Sequence, residues 1–576
     1  MQAVAELRRT EMQTSIALAP PMSKRMSRVR RHRFSLAACF FLAFFVLYIG
    51  VAAVLVFKGN AIEGDGISRV AIANRILFSR DPHLAAIGFV WSPLPELLLL
   101  PLVPFKFLWP ALVQLGFAGN ILSSLFMAGA VYQLFRLLED LGVRRGLRIA
   151  MTLCFALHPM IVLFGANSMT EPELVFFLLL ISRRLTTWLR TGEVGPLVAT
   201  GFYLALAYLA RYEGAAAAAA VTAVVLLVTF ARSRGTMRVR SRAALCDGLV
   251  VSAPFVAAFA VWAITSWLVT GVAFQQFSSA YGTEPQLQAR GLVHFSLSQD
   301  LAAAIQAVHW MLSLEPFLPI ATLVLIVAVL KRRDWVAAGA PVAMWAVLAF
   351  MFWAHTSGAI LRQPRYFIVV IPLTIVMLGL VLGSAGGAAP VSAIRFRRRP
   401  SSRLIARGVA VTSAVLMLVV ALPSGVHAVL DPSISAVEAY PLQALLNRGT
   451  LTTPQRLASL RWVNDRAIAA YLDSLHLRSG AVLVDDFLGF VIVMSSQNSH
   501  QFVITSDRDF QQVLAAPSDN GVEYILVPTD HDLGKLDAIN RAFPGIYADG
   551  GGVGKLVKEF IDHSDSEYNW RLYRVS

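Results

Sequence analysis

Acids and arginines recur together at four places in this 576-residue chain, each beside a long apolar run. Glu63 and Asp65 follow the first run, and Glu171 and Glu173 stand between two later ones. Arg211 and Glu213 end another, and Arg362, Arg365 and Tyr366 precede a late one. Ionisable groups are costly beside membrane spans, so their recurrence is informative. A carboxylate can take a proton from an attacking hydroxyl, and an arginine can neutralise a phosphate through paired N–H donors. Together they suit an enzyme acting on a lipid with a charged headgroup. The plainer readings are solvated loop carboxylates and arginines that snorkel to headgroups.

The elements that must position these residues are membrane helices. The chain is 56% hydrophobic and 15% charged, with a mean hydropathy of +0.62, which excludes a soluble enzyme. A bilayer core about 30 Å thick needs roughly 20 apolar residues per helix. Stretches of that kind fall at 34–57, 111–135, 147–166, 173–190, 196–211, 215–231, 244–268, 305–330, 336–354, 366–388 and 404–422. The net charge of +15 does not indicate nucleic acid, because the charges lie between helices. Basic clusters at 136–148, 183–190, 232–242, 331–333 and 395–407, with the basic residues of 1–33, all fall on one side when these spans alternate. The expected fold is thus a polytopic all-α membrane protein of about eleven transmembrane helices, in the cytoplasmic membrane with its N-terminus inside and its C-terminal domain outside. Cys39, Cys154 and Cys246 sit inside apolar stretches without paired spacing, so no disulfide framework is expected.

The chain divides into a basic cytoplasmic segment 1–33, a membrane region 34–422, a linker 423–453 and an extracytoplasmic domain 454–576. Trp91–Phe107 is apolar but carries Pro93, Pro95, Pro101 and Pro104, and reads as an in-plane or re-entrant element. Gly66–Arg80 alternates apolar residues with Arg69, Arg75 and Arg80, the pattern of an interfacial helix whose basic side chains touch headgroups. Thr170 and Glu173 flank Pro172 with capping-box spacing, which assigns Glu173 to structure. His158-Pro159 and Glu315-Pro316 read as kinks within spans. In the last domain the periodicity predicts a helix over 454–477 and strands over 481–484, 501–505, 522–527 and 570–575, a small α/β fold. Gly550 to Gly554 lacks P-loop spacing and reads as a turn, and Asp485-Asp486 reads as a solvated strand end.

Glu63-Gly-Asp65-Gly-Ile-Ser-Arg69, Asp81-Pro-His83-Leu84 and Trp91-Ser-Pro-Leu-Pro95 resemble stations of the polyprenyl-phosphate-sugar-dependent glycosyltransferases of the GT-C superfamily. Asn167-Ser-Met-Thr-Glu171, Arg211-Tyr-Glu213-Gly214 and Arg362-Gln-Pro-Arg365-Tyr366 match further stations. The likeness is to bacterial relatives of protein O-mannosyltransferases and lipid A aminoarabinose transferases, and runs through the membrane part. It implies that Asp65 is the catalytic base, with Glu63 the weaker candidate, against a turn in which Asp65 bonds its own backbone. Glu171 would assist Asp65 or share with it a divalent cation, Mg²⁺ or Mn²⁺, which nothing in the sequence demands. Arg211 and Arg365 would hold the lipid phosphate, with Glu213, Arg362 and Tyr366 as neighbours. The relatives place Lys or His before a Pro-Pro pair where this chain has Ser92-Pro93-Leu94-Pro95, leaving His83 or Lys106 as substitutes.

The resemblance implies inverting transfer of a hexose or pentose from a polyprenyl phosphate donor to a hydroxyl of a protein, lipid or glycan acceptor. Membrane lipids are the expected surroundings, and nucleic acid is not an expected partner. The rival is a lipid or solute transporter with an external charged gate, which predicts two related halves; no internal repeat is evident.

Overall fold

The computed structural model describes residues 35–291, 297–332, 338–383, 400–565 and 568–576. The basic segment 1–33, Arg333 and the basic residues of 395–399 lie outside these. A chain in lipid must pair its own backbone groups, and the apolar runs do so as helices. Among the described residues, Leu36–Phe57, Phe117–Asp140, Gly214–Arg232, Met237–Thr270, Pro364–Leu382 and Val411–Leu430 have the length and apolarity of membrane spans. The helices Glu171–Thr191, Val194–Ala210 and Val342–Thr356 complete the packing, the second lying between the first and Met237–Thr270. The molecule is a polytopic helical membrane protein with one small sheet.

Three expected spans are broken, the stretch 111–135 into Ala111–Gln114 and Phe117–Asp140. The stretch 305–330 forms two segments, Asp300–Leu314 and Leu318–Arg332, bent by 83° where Pro316 interrupts the hydrogen-bond ladder. The stretch 147–166 divides into Arg145–Ala156 and Pro159–Phe164. Buried His158 serves the break: its Nδ1 accepts from the Met160 amide at 3.2 Å and its Nε2 lies 3.1 Å from the Leu314 carbonyl. Where a linker was expected over 423–453, the helices Pro400–Leu430 and Pro432–Leu446 run on, the second capped by Asp431.

The helix Gly64–Phe78 departs from the interfacial reading. Its apolar face, including Ile67 and Val70, packs on Phe117–Asp140, and the helix Asp486–Ser495 of the C-terminal α/β unit covers another side. Arg69 is only 5% exposed, while Arg75 pairs with Asp486 and Arg80 with Asp507 and Asp509. These arginines therefore face protein: Arg69 meets Glu96 and the Trp91 ring, and the α/β unit lies over Arg75 and Arg80 where headgroups were expected. Trp91–Phe107 forms no span; its prolines leave only a short helix, Leu94–Leu99, and a turn, Val103–Phe107, with Phe105, Phe107 and Leu108 exposed at the rim.

The α/β unit is built on β1 (Val482–Val484), β2 (Phe502–Val503), β3 (Tyr524–Pro528), β4 (Gly554–Phe560) and β5 (Trp570–Val575), in the order β2-β1-β3-β5-β4. The first three are parallel, and β5 runs antiparallel to both β3 and β4. Side chains alternate across the sheet, so Val482 and Val484 join one core with Trp570 while Leu483 joins another with Ile525 and Tyr573. Strand β4 went unread because nearly all its side chains are exposed and mark no buried face. The helix expected over 454–477 is two, Thr453–Ser459 and Val463–Ser474, parted at Trp462 in a left-handed conformation (φ 63°). Gly550, Gly551 and Gly552 have positive φ and form the turn into β4.

Candidate active site

Asp65 lies in the first turn of Gly64–Phe78, and Arg365 in the turn Pro364–Phe367 that leads into the helix Val370–Leu382. Arg365 donates to Asp65 Oδ2 at 2.6 Å across 300 residues of sequence. Its Nε lies 3.8 Å from Glu171 Oε1, at the start of the helix Glu171–Thr191. Arg211, just past Val194–Ala210, donates to Glu171 at 3.1 Å, to Thr170 Oγ1 at 2.9 Å and to Glu213 at 2.9 Å. The Tyr366 ring lies 5.3 Å from the Arg365 guanidinium and 5.9 Å from that of Arg211. Asp65, Arg365, Glu171, Arg211, Glu213 and Tyr366 thus form one charged cluster at the end of the bundle that carries the α/β unit.

Small residues allow this closeness. Ser168, left-handed at φ 70°, turns the chain just before Glu171. It approaches Gly66 and Gly119 so closely that a Cβ at Gly66 would lie 2.9 Å from the Ser168 carbonyl, and one at Gly119 would overlap the Ser168 hydroxyl. A Cβ at Gly214 would stand 2.4 Å from the Tyr208 amide, so the tight turn presenting Arg211 and Glu213 also requires glycine.

The cluster is unevenly open. Glu171 is 1% exposed, whereas the Asp65 side chain keeps 40% of its surface. Desolvation alone would raise the Asp65 carboxyl, but Arg365, with help from Arg69 and Arg211, holds it below the usual carboxylate range. Glu63, at the cap of the same helix, goes the other way: burial outweighs Arg461 and pushes it up to about 7. Oε2 of Glu171 and of Glu173 are buried without a hydrogen-bond partner. Buried acceptors left free beside the exposed Asp65 carboxylate are suited to ligand hydroxyls.

Two members escaped the sequence reading. Arg69, one turn beyond Asp65, donates to Glu96 at 2.6 Å and stacks 4.7 Å above the Trp91 ring. Two signals were available: the i, i+4 spacing of Asp65 and Arg69, and a carboxylate stranded in an apolar run.

Other expected roles change. No Glu173 capping box forms, since the Thr170 hydroxyl takes the Arg211 guanidinium and Glu173 is buried beside the cluster. His83 is a turn residue bonded to the Asp81 carbonyl at 2.7 Å, and Arg362 is exposed with no ion pair among the described residues. Lys106 donates to Asn74 at 2.8 Å over the Phe78 ring. Asp485 and Asp486 are buried rather than solvated: Asp485 accepts from Tyr281 at 2.9 Å and from the Ala538 amide at 2.6 Å, and Asp486 pairs with Arg75. Asp65 Oδ2 and Glu171 Oε1 are paired with the Arg365 and Arg211 guanidiniums, and among the described residues no group of three or more His, Cys, Asp or Glu is placed to hold a metal ion.

No protein-family model and no curated protein sequence matches the chain. Solved structures do match. The crystal structure of ArnT from Cupriavidus metallidurans bound to undecaprenyl phosphate superimposes with a TM-score of 0.50 at 14% identity, covering 92% of this chain and 98% of that one. The same protein in the apo state gives 0.49 at 15% identity with the same coverages. An Archaeoglobus fulgidus oligosaccharyltransferase tethered with an acceptor peptide gives 0.39 at 10%, covering 90% of this chain and 72% of that one. The likeness to ArnT across nearly the whole of both chains shows that the two share a fold.

Proposed function

We propose that the chain is a membrane glycosyltransferase that moves a sugar from a polyprenyl phosphate to an acceptor hydroxyl, with inversion, on the outer face of the cytoplasmic membrane. The observation that carries this reading is the Asp65–Arg365–Glu171–Arg211 cluster, in which an accessible carboxylate stands with the buried Arg365 guanidinium and the partly buried one of Arg211. The fold shared with ArnT, whose structure was solved with undecaprenyl phosphate bound, supports it.

The sugar–phosphate bond of the donor breaks as the acceptor oxygen bonds to the anomeric carbon. The acceptor proton passes to Asp65, and the electron pair leaves with the polyprenyl phosphate. Arg365 and Arg211 neutralise the charge growing on that leaving group, and they act in a low-dielectric, preorganised setting. The donor phosphate and Asp65 compete for Arg365. Donor binding therefore draws the guanidinium off Asp65 and frees the base when the phosphate is in place. Glu171 keeps Arg211 oriented throughout, and no step calls for a metal ion.

The test uses full-length protein in liposomes containing a panel of polyprenyl phosphate sugars and a cell-envelope acceptor extract, with release of polyprenyl phosphate followed by mass spectrometry. Release by the wild type and not by Asp65→Asn is the expected result. Equal release by both removes Asp65 from its role, and release by neither across the panel overturns the reading.

A further inference from the structure

The segment between the first span and the helix that carries Asp65, residues 58–63, is six residues long and is gripped by the α/β unit, some 400 residues later in sequence. Asn60, left-handed at φ 46°, donates through Nδ2 to the carbonyls of Ser459 at 2.9 Å and Arg461 at 2.8 Å, and its Oδ1 accepts from Arg466 at 2.8 Å. Trp462 donates from its indole N–H to the Ile62 carbonyl at 3.1 Å. Its ring lies against Gly64, where a Cβ would be 3.4 Å away, and meets Phe490 edge-on at 5.5 Å. The left-handed backbone at Trp462 breaks the local helix and turns the indole toward this segment.

The far end of the same helix is held by the same unit. Arg75 pairs with Asp486, Ser499 donates to the Phe78 carbonyl at 2.6 Å, Arg80 pairs with Asp507 at 3.0 Å, and Arg508 pairs with Asp81. A helix fixed at both ends cannot roll or slide, so the carboxylate in its first turn has one place to be. Catalytic groups displaced by about 1 Å lose on the order of a hundredfold in rate.

We propose that Trp462 and Asn60 are positioning residues for Asp65, and that the α/β unit serves the reaction by splinting the Asp65 helix rather than by touching substrate. The role in turnover rests on the transferase reading above, but the grip itself does not.

The experiment compares full-length wild type, Trp462→Phe and Asn60→Asp in nanodiscs. Trp462→Phe keeps an aromatic ring and removes the N–H; Asn60→Asp keeps the left-handed preference and removes both amide donors. Amide exchange in residues 59–67 is expected to rise about fivefold in Trp462→Phe, the size of one net hydrogen bond, and by at least as much in Asn60→Asp, which loses two. Global melting and binding of a polyprenyl phosphate stay as in the wild type. With a donor that the wild type turns over, kcat falls about tenfold while the donor KM holds. Unchanged exchange in 59–67 overturns the proposal, as does a loosened segment with unchanged kcat, or a loss expressed in KM alone. Should the wild type turn over no donor, the transferase reading falls, and the exchange comparison still decides whether the α/β unit holds this segment.

Discussion

Asp65 and Arg365 pair at 2.6 Å, and in the proposed reaction each also has a substrate group to serve. General base catalysis contributes about 10² to 10⁴ in rate, so Asp65→Asn should lower kcat by that range while donor KM falls, because the donor phosphate no longer competes with a carboxylate for Arg365, as initial rates in liposomes would show. Arg365→Gln acts on both partners. It removes a charged donor to phosphate, raising donor KM tenfold or more. It also removes the group that holds the Asp65 carboxyl low. The sign follows: with Arg365 gone the carboxyl titrates at higher pH, so the acid limb of kcat/KM moves upward, and a limb that stays in place or moves down contradicts the pairing. At this scale the sequence told a good deal, since acids and arginines beside apolar runs stand out in any hydropathy reading. It did not reveal Arg69–Glu96, because Glu96 carries no motif and finds its partner 27 residues away across a proline-broken turn.

Among elements, the meeting of three chain segments at Ser168 decides where Glu171 sits. Gly119→Ala places a methyl on the Ser168 hydroxyl, and Gly66→Ala places one 2.9 Å from the Ser168 carbonyl. Overpacking of this kind costs about 1–3 kcal/mol, and either substitution should lower the melting temperature and the activity together. The two differ in their cure. Ser168→Gly deletes the side chain that Gly119→Ala strikes and suits φ 70°, so it should rescue Gly119→Ala. For Gly66→Ala it removes the Ser168 Cβ, at 2.9 Å, but leaves the carbonyl, also at 2.9 Å, so the rescue should be weaker there. Melting curves of the two double variants distinguish these outcomes. Helix positions were readable from hydropathy, yet the breaks were placed by prolines whose effect depends on neighbours: Pro316 produces an 83° bend, while Pro254 lies inside the continuous helix Met237–Thr270.

At the scale of the molecule, the α/β unit carries buried acids that bind protons more tightly folded than unfolded. Burial pushes Asp465 up to about 7, and Asp485 and Asp507 up to about 6. An unfolded aspartate titrates near 4, so the folded state loses ground as the pH rises from about 4 to 7 and not below. The unit should accordingly unfold at a lower temperature at pH 8 than at pH 5, read by thermal melting or amide exchange on the full chain. Asp465→Asn should recover several degrees at pH 8 and none at pH 4. A melting temperature that rises between pH 5 and pH 8 would contradict this accounting.

Composition and periodicity determined that this chain is a bundle of membrane helices followed by a small α/β unit, because burial in lipid and alternation in a sheet impose periods that are visible locally. The four charged stations were equally visible, since each is a local break in an apolar run. Which station pairs with which was settled only by the packing that brings Asp65 to Arg365 and Glu171 to Arg211, contacts between residues tens to hundreds of positions apart. The same holds for Arg75 and Arg80, which read as lipid-facing and instead meet Asp486 and Asp507. A side chain's partner depends on what the tertiary fold lays over it, and neither hydropathy nor spacing encodes that.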